Sequence, residues 1–371
     1  MSQVKAQRIL ALDILRGITI AGMILVNNPG SWSHIYAPLE HAEWIGLTPT
    51  DLIFPFFMFI MGISTYISLR KYQFEFGVAV AKKVLKRTIV IFLVGSGIVW
   101  LSNFCGTGNA FDFSHFRLLG VLQRLAICYG FVAITALLVK YKYILYLIIA
   151  LLVGYFIILK FGNGFVYDET SVLSIVDCAV LGNAHIYNSS CIDPEGLLST
   201  LPSIAHVLIG FMVGKMLFQV TTIQEKIERL FILGTILTFL GFLLSYGCPI
   251  SKQIWSPTFV LVTCGLASSL LALLILIIDV KGFRQWSRFF ESFGVNPLFI
   301  YVMADILSIM LNSIYISFRN ETISLHGFVY KIILQPLLGD YLSSLVFALL
   351  FVGLNWSIGY ILYKRKIYIK I

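Results

Sequence analysis

Stretches of roughly 20 predominantly apolar residues, the length a helix needs to cross a bilayer, recur along this whole chain. Ten can be marked, at 9–28, 52–69, 88–104, 118–139, 143–160, 199–218, 230–246, 257–278, 292–312 and 341–362. In lipid the backbone must satisfy its own hydrogen bonds, so each stretch reads as a helix. A transmembrane barrel would need short segments alternating apolar and polar, and the chain shows no such alternation. Composition removes the soluble alternatives: 58% of the 371 residues are hydrophobic and 12% are charged, against about 25% charged in a soluble domain. The expected fold is an all-α integral membrane protein with about ten transmembrane helices, one transmembrane domain over 1–371. Asp13 and Arg16 interrupt the first stretch and no small-residue cleavage site follows it, so it reads as a retained helix, not a signal peptide.

The net charge of +9 would suit nucleic acid on a soluble surface, but here the basic residues fall in short runs between apolar stretches. That pattern is a membrane-orientation signal, and no nucleic-acid partner is expected. With the N-terminus inside, twenty Lys and Arg fall on the cytoplasmic side, Lys5, Arg8, Lys82, Lys83, Lys86, Arg87, Arg284 and Lys370 among them. The other side holds three, Lys252, Arg319 and Lys331. Both termini are therefore expected in the cytoplasm. The external segments become 29–50, 105–117, 161–198, 247–256 and 313–340, the loop 161–198 being the largest. Cys178 and Cys191 would be able to bridge within it in an oxidising compartment. No Cys/His spacing suits a metal, so none is expected.

Polar residues within and beside the first four spans carry the chemistry. His41 lies in a dense external segment, His41-Ala42-Glu43-Trp44-Ile45-Gly46-Leu47-Thr48-Pro49-Thr50-Asp51. A histidine at a membrane edge is a proton acceptor near neutral pH, or else part of an interfacial belt with Trp32, Tyr36 and Trp44. Thr48, Pro49 and Asp51 fit N-cap, first and third helical positions, so Asp51 is either a capping-box carboxylate or a catalytic one. Arg16 and Asn27 share one face of the first helix, about 16 Å apart along its axis. Asp13 and Arg16, at i and i+3, either pair with each other or serve a ligand. Arg124 lies about two turns deeper than Arg117 and needs an anion or carbonyls, with Asp305 or a ligand as its candidate partners. The large loop ends in His185 and then Asp193-Pro194-Glu195-Gly196, where Asp193 reads as the cap of the sixth helix.

Asp13-Ile14-Leu15-Arg16-Gly17, Val26-Asn27, the His41–Pro55 segment, Gly120-Val121-Leu122-Gln123-Arg124-Leu125 and Asp193-Pro194-Glu195-Gly196 occur in that order. In this ordered set the chain resembles the heparan-alpha-glucosaminide N-acetyltransferase family of transmembrane acyltransferases and its bacterial relatives. The likeness continues through Trp255-Ser256, Asp279-Val280-Lys281-Gly282, Asn296 and Tyr301. It implies acetyl-CoA taken from the cytosol as acyl donor and an amino sugar or related glycan as acceptor on the far side. It implies His41 as the active histidine with Asn27 its partner, and Asp51 beside them. Arg16, Arg87, Arg124 and Asp13 become candidate coenzyme contacts, and Trp44, His185 and Glu195 candidate acceptor contacts. A multi-pass protein of a bacterial inner membrane, in contact with lipid and able to form a homodimer, is the implied setting. Two other functions fit the same residues: O-acylation of an envelope glycan, and small-solute transport. Transport would call for inverted repeats or broken helices in both halves, and neither is visible in the sequence.

Overall fold

The computed structural model describes residues 9–187, 192–319 and 321–369. Lys5, Arg8, Lys370 and Cys191, and with it the Cys178–Cys191 pairing, lie outside the described residues. The helices are α1 (Leu10–Asn27), α2 (Ile53–Arg70), α3 (Val78–Thr107), α4 (Val121–Leu138), α5 (Ile144–Phe161), α6 (Val172–Leu181), α7 (Thr200–Gln219), α8 (Ile223–Leu244) and α9 (Pro257–Leu274). They continue as α10 (Ser287–Val295), α11 (Pro297–Ser313), α12 (Leu325–Leu338) and α13 (Asp340–Lys364). Among the described residues nine helices are long and apolar enough to cross a membrane, ten if a bent pair counts as one span. The chain is therefore an all-α membrane protein, as its sequence implies.

The helices sort by what they touch. α1, α2, α4, α7 and α9 form the interior, with Ile14, Leu15, Met58, Phe59, Val132, Leu208 and Phe259 fully buried. α3, α5, α8 and α13 ring them and turn large apolar side chains outward, among them Leu93, Ile149, Phe239 and Leu349. Such a surface is stable only against lipid.

Helices in lipid gain little from hydrophobic association, so close backbone packing at small residues does much of the work. α2 lies along α7 with Gly62 against the Val207 carbonyl and Gly210 against the Phe59 carbonyl. α1 crosses α10 in the same way: a Cβ on Gly17 would collide with the Phe290 carbonyl, and one on Gly294 with that of Asp13. Gly17→Val should therefore force the two helices apart and cost about 1–3 kcal/mol or more. Gly97→Ala on α3, where an added Cβ meets nothing within 4 Å, is the matched control. Equal melting temperatures for the two variants in detergent would contradict this packing.

Three expectations are corrected. The ninth span, expected as one helix over 292–312, is broken: α10 and α11 meet at 88°. Asn296 precedes Pro297, which disfavours helical geometry at Asn296 and supplies no backbone donor. The Asn296 side chain instead clamps the C-terminal segment, donating to the Ile367 carbonyl at 2.8 Å and accepting from the Ile369 amide at 2.8 Å. The segment 313–340 is not a plain loop. It holds an antiparallel hairpin, β1 (Tyr315–Phe318) with β2 (Glu321–Ser324), and the apolar helix α12. Likewise the loop 161–198 contains α6.

The loops between spans fall at two ends. At one end meet the segments following α1, α3, α5, α8 and α11. Trp44 Nε1 donates to the Phe165 carbonyl at 2.9 Å, the Ser31 amide to Ser344 Oγ at 3.0 Å, and His326 lies 3.2 Å from the Pro29 carbonyl. The site lies at this end.

Candidate functional site

His41 is presented by an irregular loop that would wander without anchors. Its anchor is Asp51, whose carboxylate is fully buried in the first turn leading into α2. Asp51 Oδ2 accepts from the Ala42 amide at 3.1 Å, the Thr48 amide at 3.1 Å and Thr48 Oγ1 at 3.0 Å. Half of the expected capping box is thus present: the carboxylate returns to the Thr48 amide, while Thr48 Oγ1 itself turns to Asp51 and the Glu40 carbonyl. The other oxygen, Oδ1, lies 2.7 Å from His41 Nδ1. One carboxylate therefore folds the loop and orients the ring, so the cap and the catalytic reading of Asp51 are compatible.

With Nδ1–H donated to Asp51, the His41 tautomer carries its lone pair on Nε2, on the side of the ring away from the carboxylate. The ring is 40% exposed and its partner 0%. A buried carboxylate fixing an imidazole whose far nitrogen is accessible is an arrangement for accepting a proton. A cation completes it: Lys252 Nζ lies 3.1 Å from His41 Nδ1, 3.3 Å from Nε2 and 3.6 Å from Asp51 Oδ1. Burial pushes the Lys252 ammonium below its ordinary range, opposed by the charges of Asp51 and Glu195. Sequence reasoning missed Lys252 as a site residue. The available signal was a lone lysine just ahead of Trp255-Ser256 on the cation-poor side.

A second polar centre builds the floor. Arg117 Nη2 bonds Asp193 Oδ1 at 2.7 Å and Glu195 Oε2 at 2.6 Å, and its guanidinium lies 4.6 Å above the Tyr187 ring. Burial raises the Glu195 carboxyl, but Arg117, Arg124 and Lys252 together outweigh it and the net shift is downward. Asp193 also accepts from the Tyr187 and Glu195 amides, each at 2.8 Å. It does not cap the next helix, which starts at Thr200; it closes the turn that brings Gly196 under Arg124. Arg124, 1% exposed, donates to the Gly196 carbonyl at 3.1 Å and to Ser199 Oγ, and its guanidinium faces Trp255 at 5.3 Å. Its bonds go there and not to Asp305. Arg124 Nε and Nη1 have no hydrogen-bond partner among the described residues.

The remaining predicted residues scatter. Asn27 ends α1 with its side chain exposed. Arg16, nearer the other end of α1, pairs with Asp13 at 3.0 Å, donates to Ser64 Oγ at 2.8 Å and lies 3.4 Å from the Gly294 carbonyl. Arg87 on α3 stacks over Tyr129 at 4.6 Å with its Nε unpartnered among the described residues. His185 Nδ1 lies 2.8 Å from the Phe116 carbonyl, and Trp44 packs on Tyr167 at 4.9 Å. Thus His41, Asp51 and Lys252 converge, with Glu195 and Arg117 beside them, while Arg16, Arg87 and Asp13 belong elsewhere in the bundle.

A polytopic helical membrane protein with a carboxylate-oriented histidine at one end of its bundle is the class that fold and site define. The chain belongs to the family described as heparan-alpha-glucosaminide N-acetyltransferase, catalytic, whose model matches residues 8–247. It is similar to the heparan-alpha-glucosaminide N-acetyltransferase of Homo sapiens, 28% identical over 98% of this chain and 60% of that protein. The Mus musculus protein of the same name is 27% identical over 99% of this chain and 61% of its own length. The chain spans about three fifths of the length of these curated relatives.

Proposed function

We propose that this chain is a transmembrane N-acetyltransferase that moves the acetyl group of acetyl-CoA, taken from the cytoplasm, to the amine of a glucosamine-type sugar on the opposite face of a bacterial inner membrane. The observation that carries this reading is the His41–Asp51 pair at 2.7 Å, a buried carboxylate orienting a ring that is 40% exposed. Acetyl-CoA supplies the acetyl group as an activated thioester. His41 Nε2 takes the proton of the acceptor amine as its nitrogen attacks the acetyl carbonyl, and returns a proton to the departing sulfur. Asn27, exposed where α1 ends, is assigned as a donor to the developing oxyanion.

The buried donors that lack partners, Nε of Arg87 and Nε and Nη1 of Arg124, suit an anionic or carbonyl-bearing donor held within the bundle. The end opposite His41 has a cavity of about 310 Å³ between α2, α4, α5 and α7, with Lys140 and Lys215 in its wall. Together with the basic runs at that end, it supports arrival of a phosphate-bearing donor from there. Of the acceptor residues, Trp44 keeps a role at the site edge. Glu195 and His185 act through the loop they hold in place.

The test is label transfer in sealed vesicles of known orientation. Labelled acetyl-CoA supplied to the face bearing Lys82, Lys86 and Arg284 should label glucosamine on the other face. Turnover from acetyl-CoA on the His41 face alone would overturn the sidedness. Label recovered as a base-labile ester would overturn N-acetylation.

A further inference from the structure

The segment between α8 and α9 is built to hold Lys252 in place. The Trp255 amide donates to the Lys252 carbonyl at 3.0 Å, and the Ser256 amide to the Ser251 carbonyl at 3.0 Å. Ser256 Oγ then caps α9 by accepting from the Phe259 amide. Trp255 adopts φ 50° and is fully buried between Phe54 and Phe259. The Ile250 carbonyl accepts from the Gly46 amide at 2.8 Å, which ties this segment to the His41 loop.

The position of Nζ is informative. It lies almost equally far from both ring nitrogens of His41, at 3.1 and 3.3 Å. An ammonium in the ring plane on either lone pair would be much further from the other nitrogen. An in-plane position equidistant from both would collide with Cε1. Lys252 therefore sits over the face of the imidazole. A cation over an aromatic face is attracted to a neutral ring and repelled by an imidazolium. Asp51 acts in the opposite sense, since a buried carboxylate at 2.7 Å favours the imidazolium.

We propose that Lys252 is a positioning residue for the acetyl transfer: its ammonium, set over His41 and against Asp51, keeps the imidazole neutral and its Nε2 lone pair open. The proposal rests on His41 being the base, as argued above. The other charges around the ring are accounted for. Glu40 and Glu43 flank it on its own exposed loop. Glu195 faces Lys252 from the segment before α7, with Arg117 and Arg124 behind it. None of these lies as close to the ring as Lys252.

The test reads His41 directly. Diethylpyrocarbonate modifies neutral imidazole, and the 40%-exposed ring is open to it. Modification of the His41 peptide is followed by mass spectrometry against pH in folded wild type, Lys252→Met, Lys252→Gln and Lys252→Arg. Loss of the charge should move the pH midpoint upward by about one unit, so that modification at a pH below it slows about 10-fold; Lys252→Arg should keep the wild-type midpoint. The acid limb of kcat/KM should move with it. A midpoint that stays put in both uncharged variants, or that moves as far in Lys252→Arg, overturns the proposal. Wild type that modifies normally yet transfers no acetyl overturns the acetyltransferase reading instead, because the labelling needs no turnover.

Discussion

Replacing His41 by alanine should lower acetyl transfer by about 10²–10⁴-fold, the usual loss when a general base is removed. The melting temperature should stay close to wild type, because the ring is 40% exposed and its loop is held by Asp51 through the Ala42 and Thr48 amides. Donor affinity should also persist, since none of the partner-lacking donors assigned to it lies on this loop. Asp51→Asn should behave differently. It removes the charge that four hydrogen-bonding groups and the Lys252 ammonium address and leaves the ring in the wrong tautomer, so both stability and turnover should fall. Turnover numbers and melting curves on the same preparations decide the matter. His41→Ala activity within a few-fold of wild type would remove the histidine from the mechanism.

Arg117→Leu should have the largest effect on stability. It leaves Asp193, with a fully buried side chain, and Glu195 without their cation. Breaking a buried pair from one side typically costs about 3–5 kcal/mol. The pH dependence gives this prediction a sign. In wild type Arg117 holds the Glu195 carboxyl below its ordinary range despite burial. That contribution is complete above the unfolded carboxylate range and is lost as pH falls through the lower, folded value. In the variant the Glu195 carboxyl would be raised by burial, so its protonation relieves the unpaired charge. The gap in melting temperature between Arg117→Leu and wild type should therefore narrow from pH 7 to pH 5. A deficit below about 1 kcal/mol that ignores pH would mean a solvent-screened surface pair.

Lys252 was visible as a cation on the side of the chain that has few of them, and Arg117 as a cation at the edge of the fourth span. Their partners were not. Lys252 meets His41 across 211 positions and Arg117 meets Asp193 across 76. Arg124 shows the same limit. Its burial within a span was evident from the apolar residues around it, but the choice among Asp305, a carbonyl and a ligand depended on how α4 and the segment before α7 are rotated against each other. The answer is the Gly196 carbonyl. Asp51 was readable from its offset to Thr48 as a capping residue, and its bond to His41 was not, because the intervening loop has no periodicity from which to compute direction.

The spans were legible because crossing a bilayer depends on the length and apolarity of a contiguous run, a property that needs no knowledge of neighbours. The acidic, His-bearing loops likewise announced themselves by composition. The sequence alone thus determined an all-α membrane bundle with its polar residues gathered around the first four spans and the loops beside them. The tertiary structure alone decided which of these groups share a site, that the ninth span breaks at Asn296-Pro297, and that a lysine stands over the histidine. Packing chooses one rotation and register for each helix out of many that the apolar pattern tolerates, and distances of about 3 Å between distant residues exist only after that choice is made.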